Sequence, residues 1–157
     1  MQGIVQNMEK SRSDANVTAL PGSETRTASY RTPPHNFEAE MALLGAILAN
    51  NRVYERVSEF LRPEHFADDR HARIYEVAGR LIDRGQIADP ITLNAFFEQD
   101  RALDDIGGPQ YIARLATSAV SIINATDYAR TIHDLHLRRE LIALGEDVVN
   151  EAFSDDV

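Results

Sequence analysis

The sequence predicts an all-α protein, and three observations carry that expectation. From Phe37 onward, apolar residues recur at steps of three and four rather than two. Proline and glycine fall at the ends of those periodic stretches, where helices start and stop. The one β-branched cluster, Val120-Ser121-Ile122-Ile123, is short and lies between two helical stretches. The expected architecture is a compact multi-helix head over 36–122, followed by a long projecting helix over 123–157 and preceded by a disordered leader over 1–35.

The leader is rich in Ser, Thr, Asn and Gly and has no sustained apolar period, so it cannot offset the entropy of ordering. Pro33-Pro34 then holds the chain extended, and Asn36 is placed to cap a helix. That first helix carries Phe37, Met41, Leu44 and Leu48, with Leu43 and Ile47 alongside. Glu38 and Glu40 fall in its first turn, where the helix dipole favours anions. Asn50-Asn51 ends it. A second helix is expected from about Arg52 to Leu61, with Val53, Val57 and Phe60 on one face and Pro63 as the breaker. A third follows Asp68-Asp69, uses Ile74, Tyr75, Val77 and Leu81, and stops at Gly85. "IADPITLNAFFEQD" reads as a turn and short helix capped by Asp89 or Thr92. In "DIGGPQYIARLATSAV", Gly107-Gly108 makes the turn, Pro109 takes a first helical position, and Ile112 and Leu115 point inward.

The last helix is expected to begin at Asn124, with Asp127 completing a variant capping box, and to run unbroken to about Phe153. Such a helix spans roughly 43 Å, whereas a compact body of this size is only about 35 Å across. It must therefore project unless Gly145 kinks it. It carries two apolar stripes, Leu137-Leu141-Leu144-Val148 and Leu135-Ile142-Val149, and the head's core is expected from residues 37–115. The first stripe is the candidate self-association surface.

Composition narrows the function classes. The chain has 157 residues, 43% hydrophobic and 26% charged, with a net charge of −9. No apolar run approaches the roughly 18 residues of a membrane span, the N-terminus carries no signal-peptide pattern, and cysteine is absent. A cytoplasmic protein without disulfides or thiolate metal sites is expected. Residues 1–35 carry a net +1 and residues 36–157 a net −10, which predicts little direct DNA binding by the body. Lys10 is the only lysine, and no GxxxxGK[ST] occurs, so neither a P-loop nor a Schiff-base site is expected.

Candidate chemistry is sparse. His65 and His71 near the second turn, and His133 and His136 at i and i+3, invite a metal reading. Without HExxH, exposed or hydrogen-bonded helix histidines are the stronger reading. Asp68-Asp69 and Asp104-Asp105 fall where caps and turns fall. Arg138-Arg139 beside Arg130 lacks the interleaved aromatics of a single-strand binding surface. These features describe a scaffold rather than a catalyst, with no catalytic, cofactor or metal residues expected.

Five segments in order resemble a known family: "PPHNFEAEMALLGAIL", "LRPEHFADDRHARIYEVAGRLIDRG", "DPITL", "IGGPQYIARLA" and "NATDYARTIHDLHLRRELI". The chain is similar over residues 33 to about 153 to the N-terminal domain of the DnaB-type replicative DNA helicase. It departs where the family often has a proline before the long helix, reading "TSAVSIINAT" instead. The resemblance implies a non-catalytic collar domain of a hexameric ring, in which the long helix is the first arm of a hairpin that pairs subunits and the domain docks primase and the helicase loader. It also implies that ATP, Mg and 5′-to-3′ unwinding belong to a separate C-terminal ATPase domain. The chain ends at "FSDDV", so the second arm and that domain are expected to be lacking and a weak dimer rather than a hexamer is expected. Two rival readings are the helicase-binding domain of primase, which should not carry motifs such as "GGPQYIARLA", and a small metal enzyme using His133 and His136.

Overall fold

Asn36 opens the first helix through its side chain, which accepts the Ala39 N–H at 2.9 Å, and α1 (Phe37–Ala49) runs from there to Asn50. The computed structural model describes residues 31–118 and 122–154, and every regular element among them is helical. The expected leader lies almost wholly outside the described residues, as does the segment 119–121 before the long helix.

Nine of the thirteen residues of α1 are buried, so it is a central helix and not the one-sided helix that a single stripe would make. Ala39, Ala42, Gly45 and Ala46 give it a slim outline, and four of the other five α-helices pack against it. Phe37, the first residue of the stripe, stays 43% exposed, because the burial is centred on Leu43, Leu44 and Ile47 instead.

The second helix is shorter than its periodicity suggests. α2 (Arg52–Val57) gives way to a turn in which the Phe60 and Leu61 amides both donate to the Val57 carbonyl. Asn51 does more than end α1. Its amide donates to the Ile47 and Ala88 carbonyls and its Oδ1 accepts the Ala88 N–H, tying the α1–α2 junction to a loop 37 residues away.

A 3₁₀ turn (Pro63–His65) leads to α3 (Asp69–Asp83), capped by Asp68, whose carboxylate accepts the Arg70 N–H at 2.8 Å. Gly79 of α3 lies against Tyr54, so close that a Cβ there would collide with the phenol ring and its oxygen. Gly85 (φ 73°) closes α3, with the Gln86 N–H donating to the Leu81 carbonyl and the Gly85 N–H to that of Ile82. Of the two candidate caps for α4 (Pro90–Gln99), Asp89 is the cap and Thr92 completes its capping box. Gly107 and Gly108, both at positive φ, then turn the chain into α5 (Gly108–Thr117), where Ile112 and Leu115 are fully buried.

A second 3₁₀ turn (Ile122–Asn124) precedes α6 (Ala125–Phe153), 29 residues without a break. Asn124 occupies the cap position, but its side chain makes no capping bond, because the preceding 3₁₀ turn leaves it at φ −93° and ψ 2°, away from the extended backbone of an ordinary cap. The core also reaches further than residues 37–115. Ala125, Ala129 and Ile132 of α6 are buried as part of it, because α6 packs along α1. No helix among the described residues is long and apolar enough to cross a membrane.

Candidate protein-interaction surface

The root of α6 is anchored and its far half is bare. One anchor is Arg139, whose guanidinium donates to the Pro34 carbonyl at 2.9 Å and to the His65 carbonyl at 2.7 Å. From Glu140 to Ser154 every side chain is exposed, and Gly145 has nothing within 4 Å of where a Cβ would stand. The helix thus leaves the head for about 21 Å as a single unsupported rod.

Along that rod, Leu137 is 47% exposed, Leu141 66%, Leu144 60% and Val148 62%. Steps of four, three and four place them in one line on the helix surface. In the second stripe Leu135 is half-buried while Ile142 and Val149 are exposed, and Ile142, Gly145, Glu146, Val149 and Asn150 line a shallow groove along the arm. Both stripes are therefore present, and the head covers neither beyond Leu135. An isolated helix with two apolar faces lacks the burial that stabilises most helices in proteins, so a partner surface would stabilise it.

The histidines fall into two groups that the sequence does not separate. His65 and His133 meet at 5.0 Å between ring centroids, and His65 and His136 at 4.6 Å, at the root of α6. Among the described residues, no group of three or more His, Asp or Glu side chains is placed to hold a metal ion. His71 lies elsewhere, almost fully buried beside Glu40. The Glu40 carboxylate accepts from the Ala67 N–H at 2.6 Å, from the Asp68 N–H at 3.4 Å and from His71 Nδ1–H at 2.6 Å. Its oxygens only accept, so the proton on that ring sits at Nδ1, and the Tyr111 hydroxyl donates to Nε2 at 2.5 Å. Burial pushes the Tyr111 phenol above its ordinary value, and the Arg70 guanidinium over its face, 4.7 Å from the centroid, partly opposes that. This relay joins α1, α3 and α5.

Glu40 was readable only in part. It precedes Leu43, Leu44 and Ile47 on the apolar face of α1, so its burial follows from the period, but nothing in the spacing names His71 or Tyr111 as its partners. Of the two aspartate pairs, Asp68 is a cap whose carboxyl is held below the usual range, first by the Arg70 guanidinium bonded to it. Asp104 lies in the turn that the Gly107 N–H closes. Arg130 faces Asp127 at 3.6 Å, and Arg139 is committed to carbonyls, so the arginines form no shared anion site.

Comparison with known proteins places this architecture in context. The family described as the DnaB-like helicase N-terminal domain matches residues 32–134. The replicative DNA helicase DnaB of Rickettsia typhi is 40% identical over 147 residues, covering 94% of this chain and 30% of the relative. That of Treponema pallidum is 34% identical over 140 residues, 88% of this chain and 32% of the relative. The chain therefore spans about a third of the length of these relatives. The crystal structure of the N-terminal domain of DnaB helicase from Mycobacterium tuberculosis superposes with a TM-score of 0.76 at 31% identity, covering 78% of this chain and 89% of that one. A DnaB-like replicative helicase described with its interactions with primase superposes at 0.65 and 28% identity, over 74% of this chain and 27% of that one.

Proposed function

We propose, from the premise that this chain belongs to the family of DnaB-like helicase N-terminal domains, that it is a non-catalytic collar module of a replicative helicase. It pairs with a second copy through Leu137, Leu141, Leu144 and Val148, and its head docks primase and the helicase loader during DNA replication. The observation that carries the pairing is the line of exposed apolar side chains on a helix whose root is already seated in a closed core. Support for the primase contact comes from the related helicase described with its interactions with primase.

A single helical stripe presents a few hundred Å², below the roughly 800 Å² per partner of a standard stable interface. The self-association is accordingly weak and depends on concentration. Replacing Leu141 and Leu144 with Glu removes about 3 kcal/mol or more of apolar burial from the pair, which raises the dimer dissociation constant at least about 100-fold. Sedimentation across a concentration series reads this directly. Wild type moves toward dimer as concentration rises while the double variant stays monomeric with its helical content intact. A double variant that dimerises like wild type removes the stripe from the interface.

A further inference from the structure

At the root of α6, where it lies against the head, three imidazoles meet. His65 of the Pro63–His65 turn packs against both His133 and His136, which lie one turn apart on α6, and the edge of Phe60 meets the His133 ring at 6.1 Å. One further turn along α6, Arg139 holds the carbonyls of His65 and Pro34. The seat of the arm is therefore made by one histidine of the turn, two of the helix and one guanidinium.

The His65 ring has no free site for a second proton. Its Nδ1 accepts the Arg62 N–H at 3.0 Å, the bond that caps the 3₁₀ turn, so the neutral ring carries its proton on Nε2. Protonation at Nδ1 must break that bond and opens the cap. It also sets a cation among His133, His136 and Arg62, with Glu64 as the opposing charge in its own turn, Asp134 3.8 Å from His133, and Arg139 on its carbonyl. From the turn that follows α2, the uncharged Phe60 ring packs against His133. Burial first, then the His136 and His133 charges, hold the His65 ring below the ordinary histidine value.

We propose that His65, packed against His133 and His136, is an acid-opened latch that seats the root of α6 on the Pro63–His65 turn while its ring is neutral and releases the arm's orientation when that ring is protonated. The sign follows from His65 taking a proton less readily in the fold than in the unfolded chain. The contribution of the seated ring is complete above the ordinary histidine value of about 6.5 and is lost as pH falls below it. The latch acts on the orientation of the arm and does not depend on what the arm binds.

The chain has no cysteine of its own, so Gln99→Cys on the head and Glu146→Cys on the arm, both exposed, give a unique spin-label pair. The labelled chain is diluted in unlabelled chain, and the interspin distance distribution is recorded between pH 7.5 and 5.5, with circular dichroism confirming that the head stays folded. The expected result is one narrow distribution at pH 7.5 that broadens or splits by pH 5.5. In His65→Asn with His136→Gln, where Asn Oδ1 takes over the Arg62 N–H, the distribution should stay narrow at both. The single variant His136→Gln, expected to broaden less than wild type, serves if the double variant does not fold. A wild-type distribution unchanged by pH, or a variant that broadens as much as wild type, overturns the latch.

Discussion

Glu40 shows how much one buried carboxylate can organise. At 2% exposure it is surrounded by donors: two backbone amides at the start of α3 and the ring of His71, itself 1% exposed. Removing a group with that many partners leaves each of them buried and unpaired, which costs more than the bonds themselves contribute. Glu40→Ala is therefore expected to lower the unfolding free energy by about 3 kcal/mol. Glu40→Gln, which keeps an acceptor for one of the donors, should lose less. Urea denaturation of the two variants checks this, and a loss below about 1 kcal/mol for the alanine variant would mean that water replaces the carboxylate.

At the scale of elements, the helix ends decide where the chain turns. α3 and α4 stop by the same device: the residue after the cap adopts a left-handed conformation, and the next amide reaches back to the last turn. In α3 that residue is Gly85, and Gly85 was legible in the sequence because glycine there is the common solution. In α4 it is Arg101 at φ 55°, with the Ala102 N–H donating to the Phe97 carbonyl at 3.0 Å and the Arg101 N–H to that of Glu98 at 3.2 Å. A residue with a Cβ is strained in this region by about 1–2 kcal/mol, part of which glycine's greater freedom in the unfolded chain offsets. Arg101→Gly should accordingly raise stability by about 0.5–1 kcal/mol, read as a shift in the denaturation midpoint at unchanged slope. No gain would show that the Arg101 side chain offsets its own backbone strain.

Across the whole molecule, α6 has two parts with different roles. Ala125, Ala129 and Ile132 belong to the core, Arg139 anchors the root, and from Glu140 to Ser154 every side chain is exposed. Deleting residues 140–157 should leave the thermal midpoint within about 2–4 °C of wild type, the shift that roughly 1 kcal/mol produces in a chain of this size. Ending the chain at Ile123 should unfold it, since the deletion then strips Ala125, Ala129 and Ile132 from the core. Circular dichroism melts of the two truncations compare them directly. A large loss in the longer one would mean that the arm supports the head through contacts beyond Arg139.

The all-helical class, the caps at Asn36, Asp68 and Asp89, the stop at Gly85 and the length of α6 were written in the sequence because each depends on residues within a turn or two of each other. The exposed stripe was legible for the same reason, since helical spacing alone puts Leu137, Leu141, Leu144 and Val148 in line. What lay beyond local reach depended on tertiary packing: α1 as the buried centre, the first turns of α6 inside the core, Asn51 tied to Ala88, and Glu40 bonded to His71 and Tyr111. The same holds for the meeting of His65 with His133 and His136. Periodicity states which face of a helix is apolar; which helix lies against that face depends on how all the faces close on one another, and only the packed chain decides it.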